Sequence, residues 1–210
     1  QAQVTIVEAM PTILTGFSPR FIAPVEGRLR KLGVEMLTNE TIASVTKNKA
    51  VTKSKRTLPF DLLIWTGGVK APDFLKTLPI KTEAHGRMEV APAMLCLPQT
   101  PDLKLRPMGY ALGDSVCVYD PKTGKPMPGV APAAMEQGEV VAENIFDDIQ
   151  ETEGLKHKSK RRIYKIKEHP YALSVGGRWT AAKIGPIVLV GVLAWIFERV
   201  IEIDYSLSLR

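Results

Sequence analysis

Tyr110-Ala-Leu-Gly-Asp114, a proline- and glycine-rich loop, and Gly129-Val-Ala-Pro-Ala-Ala-Met-Glu-Gln-Gly-Glu-Val-Val-Ala-Glu-Asn144 decide how the rest of this chain is read. The first piece reads as a strand that ends in Gly113 and delivers Asp114 to the mouth of a pocket. Glycine there lets backbone approach a ligand with no Cβ in between, and an ionised aspartate only accepts hydrogen bonds, which suits the hydroxyls of a sugar-alcohol chain. After the loop, a helix of roughly 14 to 18 residues is expected to start at Ala131 or Pro132, because a first-turn N–H has no intrahelical partner for proline to forfeit. The remaining free N–H groups of that turn point back at the same pocket. A hydroxyl acceptor facing a helix N-terminus suits a flavin.

Working outward, Gln3 to Val7 is an apolar, β-branched run that ends in Glu8, after which Met10-Pro11 breaks the strand. A carboxylate then sits at the carboxyl end of a buried parallel strand, where a Rossmann unit accepts hydrogen bonds from the adenosine ribose of a dinucleotide. It also repels a 2′-phosphate, which favours NADH over NADPH. The Gly-x-Gly-x-x-Gly turn belongs about 20 residues before such an acid, more than this chain holds upstream, so the chain is expected to begin inside a domain. Phe21, Ile22, Val25, Leu29 and Leu32 recur at helical spacing, with Gly33 as the C-cap. Val34 to Leu37 follows as a second parallel strand. Residues 42–45, 50–52 and 56–58 read as short antiparallel strands, and Phe60-Asp-Leu-Leu-Ile-Trp65 as a buried strand running into Thr66-Gly67-Gly68-Val69.

Four stretches taken together, Val4 to Glu8, Leu62 to Val69, Tyr110 to Asp114 and the run up to Asn144, resemble the two-dinucleotide-binding-domain flavoproteins, and most closely the type II NADH dehydrogenases (NADH:quinone oxidoreductases). The resemblance covers most of residues 1 to 150 and matches the carboxyl-terminal part of that family. It implies an α/β fold of partial Rossmann-like FAD- and NAD(P)-binding lobes with a β-meander, divided at 1–77 (NADH-binding), 78–152 (FAD-binding) and 153–210 (basic linker and membrane-anchoring helices). It further implies that Glu8 holds the NADH ribose, that Gly67 and Gly68 line the nicotinamide side of the flavin, and that Gly113 and Asp114 serve the FAD ribityl chain. Ala131 and Pro132 would open the helix that borders the flavin ring and the quinone entrance.

That helix departs from the family pattern. Many members carry an Ala-Gln pair at its start and a second glutamine four residues after the first, whereas this chain reads Ala131-Pro132-Ala133-Ala134-Met135-Glu136-Gln137. Both amides are displaced, and the candidate catalytic residues become Glu136, a proton relay on the quinone side if burial raises its pKa, and Gln137 beside it.

The 210 residues are 45% hydrophobic and carry a net charge of +6, enough for one or two α/β lobes with a core. Lys156, Lys158, Lys160, Arg161, Arg162, Lys165 and Lys167 concentrate the basic excess. No aromatic-interleaved basic sheet or zinc pattern accompanies them, so anionic lipid is the expected partner and nucleic acid is not. Downstream, Ile184 to Phe197 is apolar apart from glycine and proline. As a helix it would rise about 21 Å, short of the hydrocarbon thickness of about 30 Å, and so would lie on or dip into the bilayer with Trp179 and Trp195 at headgroup depth. A single span from Ala182 to Ile203 is the lesser alternative. The expected location is peripheral or monotopic, on the cytoplasmic face of a membrane.

Cys96 and Cys117 lack metal or redox spacing, and His85, His157 and His169 are scattered, so no metal site is expected. Two other readings stand beside the quinone reductase: a relative of the sulfide:quinone reductases, which need a reactive cysteine pair at the flavin, and an inactive fragment acting at most as a membrane-associated interaction module. Whether homodimers form is open.

Overall fold

Val4–Val7 (β1) and Val34–Leu37 (β2) pair in parallel, Val4 opposite Val34 and Val7 opposite Leu37, and Pro19–Lys31 (α1) makes the crossover between them. This is the βαβ unit that the β-branched runs and the helical spacing predict. The computed structural model describes residues 2–103, 109–121, 123–124, 126–127, 129–155 and 160–208. The chain divides into two compact units, Gln1–Thr66 with Pro170–Arg210, and Gly67–His169.

In the first unit the meander follows as Ile42–Val45 (β3), Lys49–Thr52 (β4) and Thr57–Pro59 (β5), antiparallel in sequence order. Phe60 to Trp65 does not continue as a strand. Leu62, Ile64 and Trp65 are exposed, since an apolar parallel strand is buried only by strands at its edges and layers on its faces, and none adjoins it among the described residues.

The carboxyl-terminal segment differs most from expectation. Tyr171–Ser174 (β8), Thr180–Ile184 (β9) and Ile187–Gly191 (β10) form an antiparallel sheet, and Val192–Ser208 (α3) follows it. The apolar run is therefore half hairpin and half helix. Ile184 pairs with Ile187 across a two-residue Gly185-Pro186 loop, with Gly185 at φ +55°, and the flanking residues are mostly β-branched, all of which favours strand over helix. No helix among the described residues is long and apolar enough to cross a membrane, which removes the spanning alternative. The sheet packs on α1. Phe21, Ile22 and Val25 of α1 share a core with Ile13, Val175 and Ala181, and Phe17, Phe21 and Tyr171 stack edge to face or in parallel. Arg28 fastens the same contact, its Nε and Nη2 donating to the Val175 and Gly176 carbonyls at 3.2 Å.

In the second unit Met88–Glu89 (β6) pairs in parallel with Val116–Cys117 (β7), and Ala131–Thr152 (α2) covers them. The core gathers Met94, Ala111, Val116, Ala133, Val141 and Tyr164. Residues 160–169 run antiparallel along α2 as an extended strap. Asn144, fully buried, receives the Arg162 N–H on Oδ1 at 2.8 Å and donates from Nδ2 to the Ala93 and Arg162 carbonyls at 3.2 and 3.0 Å. Arg161 pairs with Asp148 at 2.6 Å and donates to the Tyr110 hydroxyl, Arg162 pairs with Glu143, and Lys167 pairs with Glu136 at 2.9 Å. Three of the cations expected to face lipid are thus matched by carboxylates of α2. Lys156 and Lys158 lie outside the described residues, and Lys160 and Lys165 are exposed.

Candidate functional site

Asp114 reaches its position by a turn and not at the end of a strand. Tyr110 makes one bridge to Leu95, the Ala111 N–H donates to the Met94 carbonyl at 3.1 Å, and Gly113–Ser115 then forms a single 3-10 turn that leads into β7. Gly113 has φ +75°, a conformation L side chains adopt at a cost, so the turn requires glycine. A second glycine answers a different demand. A Cβ on Gly129 would lie 2.5 Å from Asp114 Oδ1, so the carboxylate can rest against this backbone only because residue 129 has no side chain.

Around this turn Gly113, Asp114, Val116, Val118, Met127, Gly129, Ala133 and Gln137 enclose a cavity of about 20 Å³, room for a water molecule and not for a ring system. Val130 caps α2 with no side-chain hydrogen bond, and Pro132 in the first turn has no N–H of its own, which leaves the Ala131 and Ala133 amides at the positive end of the helix for a ligand. An exposed carboxylate, two close-approach glycines and an uncapped helix N-terminus are a donor and acceptor set that fits the polar chain and ring edge of FAD.

The structure brings only some of the sequence candidates together. Gly113, Asp114 and Gln137 meet, with Ala131 and Pro132 at the adjoining helix start. Gln137 is buried, and its Oε1 accepts the Gly113 N–H at 2.8 Å. Glu136 faces the strap, where Lys167 Nζ lies 2.9 Å and His169 Nε2 3.9 Å from its carboxylate. Gly67 and Gly68 lie in an exposed stretch of the second unit with Gly68 at φ +97°. Glu8 belongs to the first unit. It stands at the carboxyl end of β1, with Oε1 accepting the Met10 N–H at 2.9 Å. A larger hollow of about 460 Å³ in that unit is lined by Thr12, Glu26, Arg30, Glu35 and Met36 among others and does not include Glu8.

Cys117 sits between the two valines that line the cavity and, by strand alternation, turns to the opposite side. It is fully buried there, with Arg87 Nη2 3.8 Å from its sulfur. Burial pushes the thiol pKa up, as it does for Cys96. Sequence reading missed Gly129, which lay inside the quoted stretch two residues before the helix.

The amino-terminal two thirds of the chain, residues 1–138, match the family model described as pyridine nucleotide-disulphide oxidoreductase. The chain is 23% identical to the type II NADH:quinone oxidoreductase Ndh of Mycobacterium tuberculosis, over 100% of its own length and 43% of that protein. It is 27% identical to the type II NADH:quinone oxidoreductase of Haemophilus influenzae over 69% of its length and 31% of the relative. It therefore spans less than half of the curated relatives it matches. Among solved structures it is similar in fold to the NAD-dependent persulfide reductase from A. fulgidus, with a TM-score of 0.64 at 23% identity, covering 86% of this chain and 31% of that one. By the match over residues 1–138, and with the βαβ unit and the Gly113–Asp114 turn in place, this chain belongs to the pyridine nucleotide-disulphide oxidoreductase family.

Proposed function

We propose that this chain is part of an FAD-dependent oxidoreductase that carries electrons from NADH to a membrane quinone. The observation that carries the reading is the Gly113–Asp114 turn packed on Gly129 at the uncapped start of α2. The distant likeness to type II NADH:quinone oxidoreductases supports the choice of donor and acceptor. Bound FAD would supply the two-electron chemistry, accepting hydride from NADH and reducing the quinone.

The work of the chain's own residues is binding and electrostatics. Asp114 accepts from hydroxyls of the cofactor chain. The amides of the first α2 turn favour negative charge on the part of the ligand they face. Glu8, with one oxygen held by Met10, offers the other to ribose hydroxyls, and the exposed Gly67-Gly68 stretch admits close approach of the nicotinamide. Glu136, paired with Lys167 at 2.9 Å, is the carboxylate of α2 assigned as the proton relay on the quinone side.

Thiol chemistry of the sulfide:quinone reductase kind has less support. A nucleophilic cysteine needs a lowered pKa and access, and Cys117 has neither. Purified protein titrated with FAD should quench flavin fluorescence saturably, and Asp114→Ala should weaken that binding by about tenfold or more, as expected for loss of a charged hydrogen-bond acceptor. Equal FAD binding by wild type and Asp114→Ala sinks the assignment. In the whole protein of which this chain is part, NADH should bleach the flavin band, and quinone should restore it.

A further inference from the structure

Gln137 commits its amide oxygen to the turn that carries Asp114: its Oε1 accepts the Gly113 N–H at 2.8 Å. The residue is 6% exposed, and Tyr164 of the strap, 8% exposed, is buried in one core with Ala133 and Val141 of the same helix. A buried amide cannot turn away from that donor without leaving the Gly113 N–H without a partner.

Tyr164 is itself held from two sides. Its N–H donates to the Pro92 carbonyl at 2.8 Å, and two residues earlier the Arg162 backbone is clasped by Asn144 through the Arg162 N–H at 2.8 Å and the Arg162 carbonyl at 3.0 Å. The Tyr164 side chain and the Arg162 backbone thus fasten the strap to α2, the helix whose Gln137 receives the amide of the residue that precedes Asp114. Glycine at 113 makes that acceptor necessary. A residue with no side chain has no packing of its own to fix its φ of +75°, so the turn takes its direction from what holds its N–H.

We propose that Gln137 is a positioning residue that sets the Gly113–Asp114 turn against the start of α2, on a helix that the strap of residues 160–169 holds in place. The proposal rests on the reading of Asp114 as a flavin hydroxyl acceptor. It gives Gln137 a geometrical task in place of a chemical one. It also gives a role to a segment beyond residue 138, where the family match ends.

The test follows the turn and the ligand separately. Amide exchange at Gly113 is measured by NMR in the protein without ligand, and FAD is titrated by fluorescence, for wild type, Gln137→Leu, Gln137→Glu, Tyr164→Phe and Val141→Ala. Gln137→Leu should raise the Gly113 exchange rate and the FAD dissociation constant together, each by about tenfold, the loss of one hydrogen bond to a partly buried N–H. Gln137→Glu keeps an acceptor for Gly113 and should retain most of the protection. Tyr164→Phe removes a hydroxyl that the Gly113 contact does not use and should leave both readings within about twofold. Val141→Ala is the control: it loosens the same core without touching that contact, and at matched stability it should leave FAD affinity unchanged. If Gln137→Leu binds FAD as wild type does, or if Val141→Ala weakens FAD as much as Gln137→Leu, the positioning role is overturned. Failure of the wild type to bind FAD at any concentration instead removes the flavin reading, and this proposal with it.

Discussion

Glu8 ends β1 with one carboxylate oxygen already committed to the Met10 N–H, and that commitment fixes where the other oxygen points. If it faces a ribose, Glu8→Gln replaces a charge that repels a 2′-phosphate by a neutral amide of the same shape. The preference for NADH over NADPH should then fall by about tenfold, most of it in KM, while FAD content stays as it was. An unchanged preference, measured with both nucleotides under the same salt, makes Glu8 only a turn-forming carboxylate. A second residue controls acid stability. Burial pushes the Glu83 pKa up, but hydrogen bonds from His85 and Arg87 outweigh it and hold the carboxyl at about 2 against an ordinary 4.5. A carboxylate whose pKa is depressed on folding stabilises the fold above its unfolded value and loses that stabilisation as pH falls through the folded one. The unfolding midpoint should therefore drop between about pH 4.5 and about pH 2, and Glu83→Gln should flatten that part of the profile. Gly113 and Asp114 were legible in sequence because their chemistry is carried by residue type alone. The direction of Gln137 was not, because its partner is a backbone N–H in a turn that no spacing rule describes.

At the scale of elements, hydrophobic period marked β1, α1, β2, the meander and the start of α2, since each buries one face against a neighbour within the chain. It misled where an apolar run had two ways to be buried. Ile184 to Phe197 carries enough aliphatic residues for a helix, and Gly185-Pro186 turns its first half into a hairpin that packs on α1. The strap could not be read as an element, having no period, yet it is fixed as firmly as one. Asn144, itself fully buried, makes three part-buried hydrogen bonds to backbone groups of Ala93 and Arg162. Asn144→Ala leaves those groups without partners and should cost about 2 to 3 kcal/mol, read as a lower denaturant midpoint at unchanged slope. A change below about 0.5 kcal/mol means water replaces the amide and the strap is only lightly held.

For the molecule as a whole, the two sources of membrane attraction inferred from composition separate once the fold is known. Arg161, Arg162 and Lys167 are matched by Asp148, Glu143 and Glu136, so little of their charge is left to attract an anionic surface. The apolar part has the opposite fate. Along α3 the exposed side chains Leu193, Ile196, Val200, Ile203 and Leu207 recur at alternating steps of three and four, which places them on one stripe. Glu198 points the other way and accepts hydrogen bonds from Ser174 and Thr180 of the sheet beneath. A helix of this length rises about 25 Å, less than the hydrocarbon thickness of about 30 Å, so it can lie in an interface and cannot span one. Attraction to vesicles should then come mainly from apolar burial and resist salt. Ile196→Glu with Val200→Glu, both on the exposed stripe, should leave the unfolding midpoint nearly unchanged and reduce vesicle binding by more than tenfold, on neutral and anionic lipid alike. Arg161→Gln with Arg162→Gln should do the reverse, lowering the midpoint while vesicle binding stays within about twofold. If the two glutamates leave flotation with vesicles intact while the two glutamines abolish it at low salt, the attraction is electrostatic and the α3 stripe has another use.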